Sequence, residues 1–285
     1  MRNLTIFLLL VCSGPGVAWS QIRAFDNSKA ILPWIYNPSV DFPQEFQVYL
    51  GYDGRGNNSF LPQSYVAGFR MPVLAGKGGK GSASVMGVQM LHTSQDRFRN
   101  ATIQTSFAHR ISLSEKFKLA FALSAGVANM RYQYNDLVYF DQQDPLLDNG
   151  DNFFSMHLNA GISLVMDEIF FLNLAAPALI KDHRTNVREV IFRAGCIYPL
   201  NEDINIIPAA NFDTFNSSLI FGGDVRIEWR KMISLLAGAD RYKYHGGVLL
   251  NVTQFSFGYT YGQNFTEGFD YVPSHQISVF SNIPF

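Results

Sequence analysis

The sequence is poor in charge, in cysteine and in long apolar runs, and each shortage excludes a class of protein. Charged residues make up 16% of the 285 residues, whereas soluble domains average about 25%. The formal net charge of -1 provides no basic field, so no nucleic-acid partner is expected. No segment after the N-terminus approaches the roughly 18 apolar residues of a transmembrane helix. If the chain lies in a membrane, it must cross it as a closed barrel.

The N-terminus has the features of a secretory signal peptide. Arg2 supplies a positive charge, an apolar run follows from Leu4 to Val11, and Ala18-Trp19-Ser20 forms a small-residue exit. The run is about half the length that a spanning helix needs. We therefore expect cleavage after Ser20 and assign residues 1–20 to a signal peptide.

The two cysteines offer no disulfide framework. Cys12 lies inside the predicted signal peptide and leaves a lipoprotein open as an alternative, although Val11 stands where a small residue is wanted. Cys196 then has no partner in the mature chain. We expect it to behave as a small apolar side chain.

Aromatic residues and glycine are abundant, and they alternate along the chain. The sequence has 25 Phe, 13 Tyr and 23 Gly. From Phe255 to Gly262, aromatic rings alternate with Ser, Gly and Thr. From 219 to 229 the odd positions are apolar or Gly, while Asp224, Arg226 and Glu228 share the other face. One face suits lipid and the other suits water or ion pairs, which we expect to form in a lumen.

Fourteen segments have this pattern, and their typical length is near the 9–11 residues of a tilted strand that crosses a bilayer. We predict strands at 45–52, 64–71, 82–92, 101–111, 117–130, 153–165, 169–176, 189–198, 203–212, 218–229, 231–240, 243–251, 253–263 and 273–283.

The predicted links between strands fall into two classes that mostly alternate. Tight links include 112–116, 166–168 and 199–202, and longer polar loops are predicted at 53–63, 93–100, 131–152, 177–188 and 264–272. A soluble sandwich also alternates apolar and polar residues, but it has no reason to place long loops at one end. Outer-membrane barrels do so, with their short turns in the periplasm.

Together these patterns predict an all-β fold, a transmembrane antiparallel up-and-down β-barrel of about fourteen strands. The barrel is assigned to residues 45–285, in a bacterial outer membrane, with membrane lipid around it. A short periplasmic or plug-like segment, 21–44, is expected to precede it. The terminal Phe285 is similar to the final aromatic residue of many bacterial barrels.

Several motifs, in order, resemble the PorP/SprF family of outer-membrane proteins, components of the type IX secretion system of Bacteroidota. Tyr36-Asn37-Pro38-Ser39-Val40 resembles an early aromatic-Asn-Pro signature. The segments 110–116, 139–145 and 170–179 resemble later family features, the last being a strand that ends in a small-small-Pro turn. The resemblance implies a non-enzymatic role in secretion, anchoring or surface display of cargo such as adhesins, with a possible link to gliding machinery. Implied partners are a periplasmic lipoprotein, other type IX secretion components and the C-terminal domain of secreted cargo.

Two regions carry the candidate partner-binding residues. Segment 21–44 is too apolar for a disordered tail, and we expect it to pack into the periplasmic mouth or to dock a periplasmic partner. The longest loop gathers acids at 141–152, which we expect to be a solvated outer loop, with a partner or calcium site as the alternative. The candidate residues are Trp34, Tyr36, Asn37 and Pro38 in the segment, and Tyr139, Asp141, Asp144 and Pro145 in the loop.

No motif indicates an enzyme or a cofactor. The histidines lack metal-site spacing, and no HExxH or CxxC occurs. His157 with Ser155 is the one pair that suggests a lipid-modifying enzyme, and a His in a polar lumen network is the commoner arrangement. The main alternative to a secretion component is therefore a channel or transporter for small apolar molecules.

Overall fold

Fourteen antiparallel strands account for most of the chain in the computed structural model. The structure describes residues 32–55, 62–74, 81–95, 98–132, 152–180, 189–215, 218–264 and 273–284. The predicted signal peptide, 1–20, lies outside these residues. The strands are β1 Phe46–Arg55, β2 Gln63–Leu74, β3 Ala83–Gln95, β4 Phe98–Ser112, β5 Phe117–Tyr132, β6 Asn152–Met166, β7 Phe170–Ile180, β8 Val190–Cys196 with a continuation at Tyr198–Pro199, β9 Ile204–Phe215, β10 Ser218–Trp229, β11 Ile233–Asp240, β12 Lys243–Val252, β13 Phe255–Asn264 and β14 Pro273–Ile283.

The sheet closes on itself. Each strand pairs antiparallel with its neighbours in sequence, and β1 also pairs with β14 from Phe46 opposite Ile283 to Arg55 opposite Ser274. Closure removes the exposed edges that an open sheet presents. The predicted fold class, an up-and-down barrel of about fourteen strands, is confirmed. In the part of the chain that the structure describes, no helix is long and apolar enough to cross a membrane.

Predicted and observed strands agree one for one, with differences at their ends. The largest at a single end is in β7, which continues through Pro177 to Ile180 instead of ending at residue 176, and the predicted loop 93–100 is wrong. β3 continues to Gln95 and β4 begins at Phe98, where Gln95 and Phe98 pair directly. Polar residues such as Thr93 and Asn100 extend this hairpin, because residues paired across a ladder satisfy each other's backbone whatever their side chains.

Alternate residues of each strand face outward, and many of these are large and apolar. Leu50 is 57% exposed and Phe154 is 73% exposed, whereas Tyr49, the residue before Leu50, faces inward and is buried. Aromatic residues concentrate near both rims of this apolar wall. Near one rim lie Tyr52, Tyr65, His92, Tyr259, Tyr261 and His275, with the rings of Tyr52 and Tyr65 5.1 Å apart, and near the other lie Phe117, Phe170, Trp229 and Phe255. An apolar band between two aromatic girdles is the pattern of an outer-membrane barrel.

The two ends of the barrel have different links. At the turn end, the links are 75–82, 113–116, 167–169, 200–203, 230–232 and 253–254, whereas the loop end has 56–62, 96–97, 133–151, 181–189, 216–217, 241–242 and 265–272. Asp167, Glu168, Arg230 and Lys231 all have positive φ, between 50° and 58°. Two consecutive positive φ values form the tight turn whose twist matches that of the flanking strands. The chain therefore enters and leaves the barrel at the turn end, where β1 begins and β14 ends.

Candidate functional site: a segment inside the barrel

Residues 32–45, which we call the inner segment, run through the interior of the barrel. They begin with a single 3-10 turn, Pro33–Ile35. Their side chains contact inward-facing residues on strands that lie on opposite sides of the ring, including β1, β2, β6, β11, β12 and β14. No strand pairing holds the segment, so side chains must fix it in place.

An apolar cluster fixes the first part of the inner segment. The Trp34 ring meets Tyr49 edge-on at a centroid distance of 6.2 Å and Phe280 at 5.7 Å. Such edge-to-face pairs contribute about 0.5–1.5 kcal/mol each beyond the area they bury. Trp34 is 6% exposed, and the remaining buried members of the cluster are Leu32, Ile35, Val66, Leu236 and Leu249.

Arg70, on the inward face of β2, fixes the middle of the inner segment. Its guanidinium lies 5.3 Å from the Trp34 ring centroid and pairs with the Asp41 carboxylate at 3.3 Å. It also donates to the backbone oxygen atoms of Val40, at 3.4 Å, and of Asp41. Asp41 has a φ of 61°, a backbone conformation that non-glycine residues seldom adopt. One side chain thus combines a cation–π contact, an ion pair and two backbone hydrogen bonds, which favours Arg over Lys.

Asn37 and Ser39 fix the segment to the other side of the barrel, on β6 and β7. The Asn37 amide nitrogen donates to the Leu174 carbonyl at 3.2 Å. The Asn37 side-chain oxygen accepts from the Ser39 hydroxyl at 2.6 Å, and the hydroxyls of Ser39 and Ser163 lie 2.8 Å apart. A Cβ atom at Gly161 would come within 2.1 Å of the Asn37 oxygen. Glycine at this position therefore leaves the room that Asn37 occupies.

Phe42 ends the buried part of the segment in a pocket of small residues. Its ring packs with Ala83, Val85, Ala108, Ala120 and Ala122 on β3, β4 and β5. The guanidinium of Arg110, on β4, lies 4.9 Å from the ring centroid. The alanines on these strands thus make space for an aromatic ring that approaches from the inside.

The predicted ion pairs in the lumen are present. Arg193 on β8 donates to Asp224 on β10 at 2.6 Å, and the Asn211 amide donates to the other oxygen of Asp224 at 2.7 Å. Arg226 and Glu228, two residues apart on β10, pair at 3.0 Å. The polar face of 219–229 thus faces inward, as its alternation indicates.

Comparison with known proteins supplies what geometry alone does not. The model of a family described as type IX secretion system membrane protein PorP/SprF matches residues 58–280. This chain belongs to the PorP/SprF family. No curated protein matches it.

Solved structures similar to this PorP/SprF chain are outer-membrane barrels. The outer membrane protein Omp33 of Acinetobacter baumannii is 10% identical, with a TM-score of 0.54, and the match covers 84% of this chain and 98% of that one. The CymD monoaromatic hydrocarbon channel is 10% identical with a TM-score of 0.57, covering 89% and 93%. The toluene transporter TbuX of Ralstonia pickettii is 10% identical with a TM-score of 0.51, covering 87% and 92%. Identities this low show the fold alone, and family and fold together place the protein in the outer membrane as a β-barrel.

The matched range bears on the inner segment. It contains most of the barrel residues that contact the segment, among them Arg70, Gly161, Ser163 and Phe280, but not residues 32–45 themselves. Sequence reasoning did not identify these barrel residues as part of a site. The one available signal was a charge, Arg70, inside an otherwise uncharged alternating strand.

The predicted partner-binding residues have two different placements. Trp34, Asn37 and Pro38 are buried inside the barrel, and Tyr36 is half-buried. In this arrangement these three side chains are not exposed at the surface of the barrel. The loop residues Tyr139, Asp141, Asp144 and Pro145, and the calcium alternative at 141–152, lie outside the described residues. A partner-binding role for either region stays a prediction.

The one candidate catalytic pair lies in a polar part of the lumen. The His157 ring nitrogen Nε2 is 3.2 Å from the side-chain oxygen of Gln104. The side chains of His157 and Gln104 both face inward, as predicted for a His in a lumen network. In the described parts of the chain, no three His, Cys, Asp or Glu side chains come together as metal ligands would.

Proposed function

We propose that this protein is a non-enzymatic component of type IX secretion that anchors or displays cargo at the outer membrane. Membership of the PorP/SprF family supports a role in this system. The observation that carries the choice of a scaffold is the inner segment, because it occupies the barrel interior and is fastened on both sides. A passive pore needs that space open.

The turn end is proposed to face the periplasm and the loop end the cell exterior. Short turns are periplasmic in bacterial barrels of this kind. In this orientation the inner segment enters from the periplasm, where a lipoprotein and other secretion components are the expected partners. The long loops at the other end are then available to the C-terminal domain of a secreted protein.

A channel for small apolar molecules is the alternative, and the lining of the barrel interior argues against it. Two of the similar folds are hydrocarbon channels, but likeness at 10% identity extends to the fold only. Charged and polar side chains such as Arg193, Asp224 and Arg226 face the lumen. A solute without polar groups cannot pair with these side chains, which would lose their hydration as it passes.

Two measurements on the same purified protein test the proposal. The full chain, taken from native membranes in mild detergent, should co-purify with a periplasmic lipoprotein or a secreted protein. Reconstituted alone in planar bilayers, it should give no steady conductance. Steady conductance or solute uptake together with no co-purifying component would favour the channel instead. Deleting residues 21–44 should leave an inserted barrel that has lost the periplasmic partner.

A further inference from the structure

A cavity of about 430 Å³ lies between the inner segment and the wall of β4 to β10, near the turn end. We call it the vestibule. Four cationic side chains line it: Arg110, Lys118, Arg193 and Arg226. Its volume falls within the range of about 300–1,000 Å³ that is usual for ligand sites.

Three of the four cations have carboxylate partners. Lys118 pairs with Glu168 at 2.6 Å, Arg193 with Asp224 at 2.6 Å and Arg226 with Glu228 at 3.0 Å. Asp41, the other acid in the lining, pairs with Arg70 at 3.3 Å. Each of these carboxylates thus already forms an ion pair with a cation other than Arg110.

Arg110 is the cation without such a partner. Among the described residues, no carboxylate lies within ion-pair distance of its guanidinium, and its Nε has no hydrogen-bond acceptor. The guanidinium instead lies over the Phe42 ring, 4.9 Å from its centroid. Stacking uses the face of the guanidinium and leaves its in-plane N–H groups to donate to an oxyanion. Arg110 is therefore the one cation of the vestibule with no ion pair among the described residues, and its guanidinium is suited to a carboxylate.

The rest of the lining includes the polar residues Ser39, Ser163 and Asn173 and, on the barrel wall, an apolar group of side chains. Val165, Phe171, Ile197 and Ile207 contribute side chains from β6, β7, β9 and the link within β8. A free inorganic ion makes no favourable contact with these apolar side chains, whereas a ligand that carries both a carboxylate and an apolar side chain does. A peptide chain end has this combination.

The mouth of the vestibule is at the turn end. Lys118 is the second residue of β5, and Glu168 lies in the tight turn between β6 and β7. The Glu168 side chain is 73% exposed. A ligand thus enters past this ion pair and meets Arg110 deeper inside.

We propose that the vestibule binds the C-terminal carboxylate of an extended peptide with apolar last residues, which enters from the turn end. The site deepens the proposed function, on which it rests for the identity of the peptide as part of a periplasmic secretion partner. Arg110 binds the carboxylate, and the apolar wall receives the last side chains.

The test measures binding of two labelled peptides to the full-length purified protein by fluorescence anisotropy. Both peptides end in two valines, one with a free carboxylate and the other with a C-terminal amide. The free acid should bind about tenfold or more tightly than the amide, because a charge-assisted hydrogen bond is lost with the amide. Arg110→Gln should weaken binding of the acid by a similar factor and leave the amide unchanged. Arg230→Gln, at the same end but outside the vestibule, is the matched control and should change neither.

Val165→Asp gives a second variant that leaves Arg110 and its stacking in place. The added negative charge should abolish binding of the free acid, and heat-modified mobility on gels checks that each variant is a folded barrel. Equal binding of acid and amide, or a folded Arg110→Gln protein with unchanged affinity, overturns the proposal. The proposal is also overturned if inorganic phosphate binds the protein but does not compete with the peptide. Secretion is not the readout, so failure here leaves the proposed function standing.

Discussion

The two sides of the barrel interior hold the same segment by different physical means. On the side of β14, β1 and β2, with β11 and β12, Trp34 and its neighbours bury apolar surface and exclude water. On the side of β4 to β10, Asn37 and Ser39 make hydrogen bonds, Phe42 packs among alanines, and charged side chains line the vestibule. The first side holds the segment in the barrel by apolar burial. The second side sets the position of the segment by hydrogen bonds and contains the vestibule.

This difference predicts which changes release the segment and which only loosen it. Burial is non-directional and scales with area, so the loss of one large side chain has a large effect. Hydrogen bonds add less net stability but penalise a wrong register, because buried groups are then left unpaired.

Trp34→Ala should have the largest effect, because it empties the centre of the apolar side. Truncation of a buried Trp costs about 3–5 kcal/mol, here expressed as weaker docking of the inner segment. The released segment should become sensitive to limited proteolysis, and the barrel should begin to conduct in planar bilayers. Trp229→Ala, on the lipid-facing wall, is the matched control and should leave both properties unchanged. Full protection of the segment in the Trp34 variant would contradict this account.

Arg70→Met should loosen the point where the two sides meet. The change removes the ion pair with Asp41 and the bonds to two backbone oxygen atoms, at a cost of about 2–3 kcal/mol. Arg70→Lys should recover part of this stability, since an ammonium group keeps the charge but not the planar fork. Proteolysis rates of the N-terminal segment report the order of wild type, Lys and Met. If the Lys variant is as stable as wild type, the guanidinium geometry has no role.

Gly161→Ala should disturb only the polar side. The new Cβ would lie 2.1 Å from the Asn37 oxygen, so Asn37 must move, at a cost of about 1–3 kcal/mol. Gly246→Ala is the control, because its nearest contact is an ordinary 3.4 Å. Adding Asn37→Ala to the Gly161 variant removes the clash, so the two effects on melting should be strongly non-additive. Additive effects would place the strain elsewhere.

The wall of the barrel was predictable from sequence to within a few residues. Each strand has one face toward lipid and one toward the lumen. The local sequence indicates both faces by its alternation, as in the aromatic and small residues of β13. The exception at 93–100 arises because polarity there indicates a loop, whereas hairpin pairing continues past the apolar band.

The contents of the lumen could not be predicted in the same way. Asn37 and its acceptor Leu174 are separated by 137 positions in sequence. Nothing in the local pattern around Gly161 or Ser163 indicates that a side chain from the N-terminal segment contacts them. Alternation encodes which residues face inward but not what they contact.

The smallest expected effect belongs to Glu168, at the mouth of the polar side. The hydrogen bond from Lys118, together with its positive charge, lowers the pKa of Glu168 below its ordinary 4.5. A carboxylate whose pKa is lowered by folding stabilises the fold above its unfolded value, and this contribution is lost as the pH falls through the folded value. The difference in melting temperature between wild type and Glu168→Gln should therefore be constant at neutral pH and disappear as the pH falls below 4.5. Because the pair is exposed, the difference should be small and should shrink with salt.

In the Lys118→Met background, the pH-dependent effect of Glu168→Gln on melting should become much smaller, because the partner that contributes most to the lowered pKa is gone. A pH-dependent difference that survives there would assign the effect to another cation. Arg110 is the candidate, because its charge also acts on Glu168 in the same direction. That result would mean that the charge of Arg110 reaches the mouth of the vestibule, so the polar side would act as one electrostatic unit rather than as separate pairs.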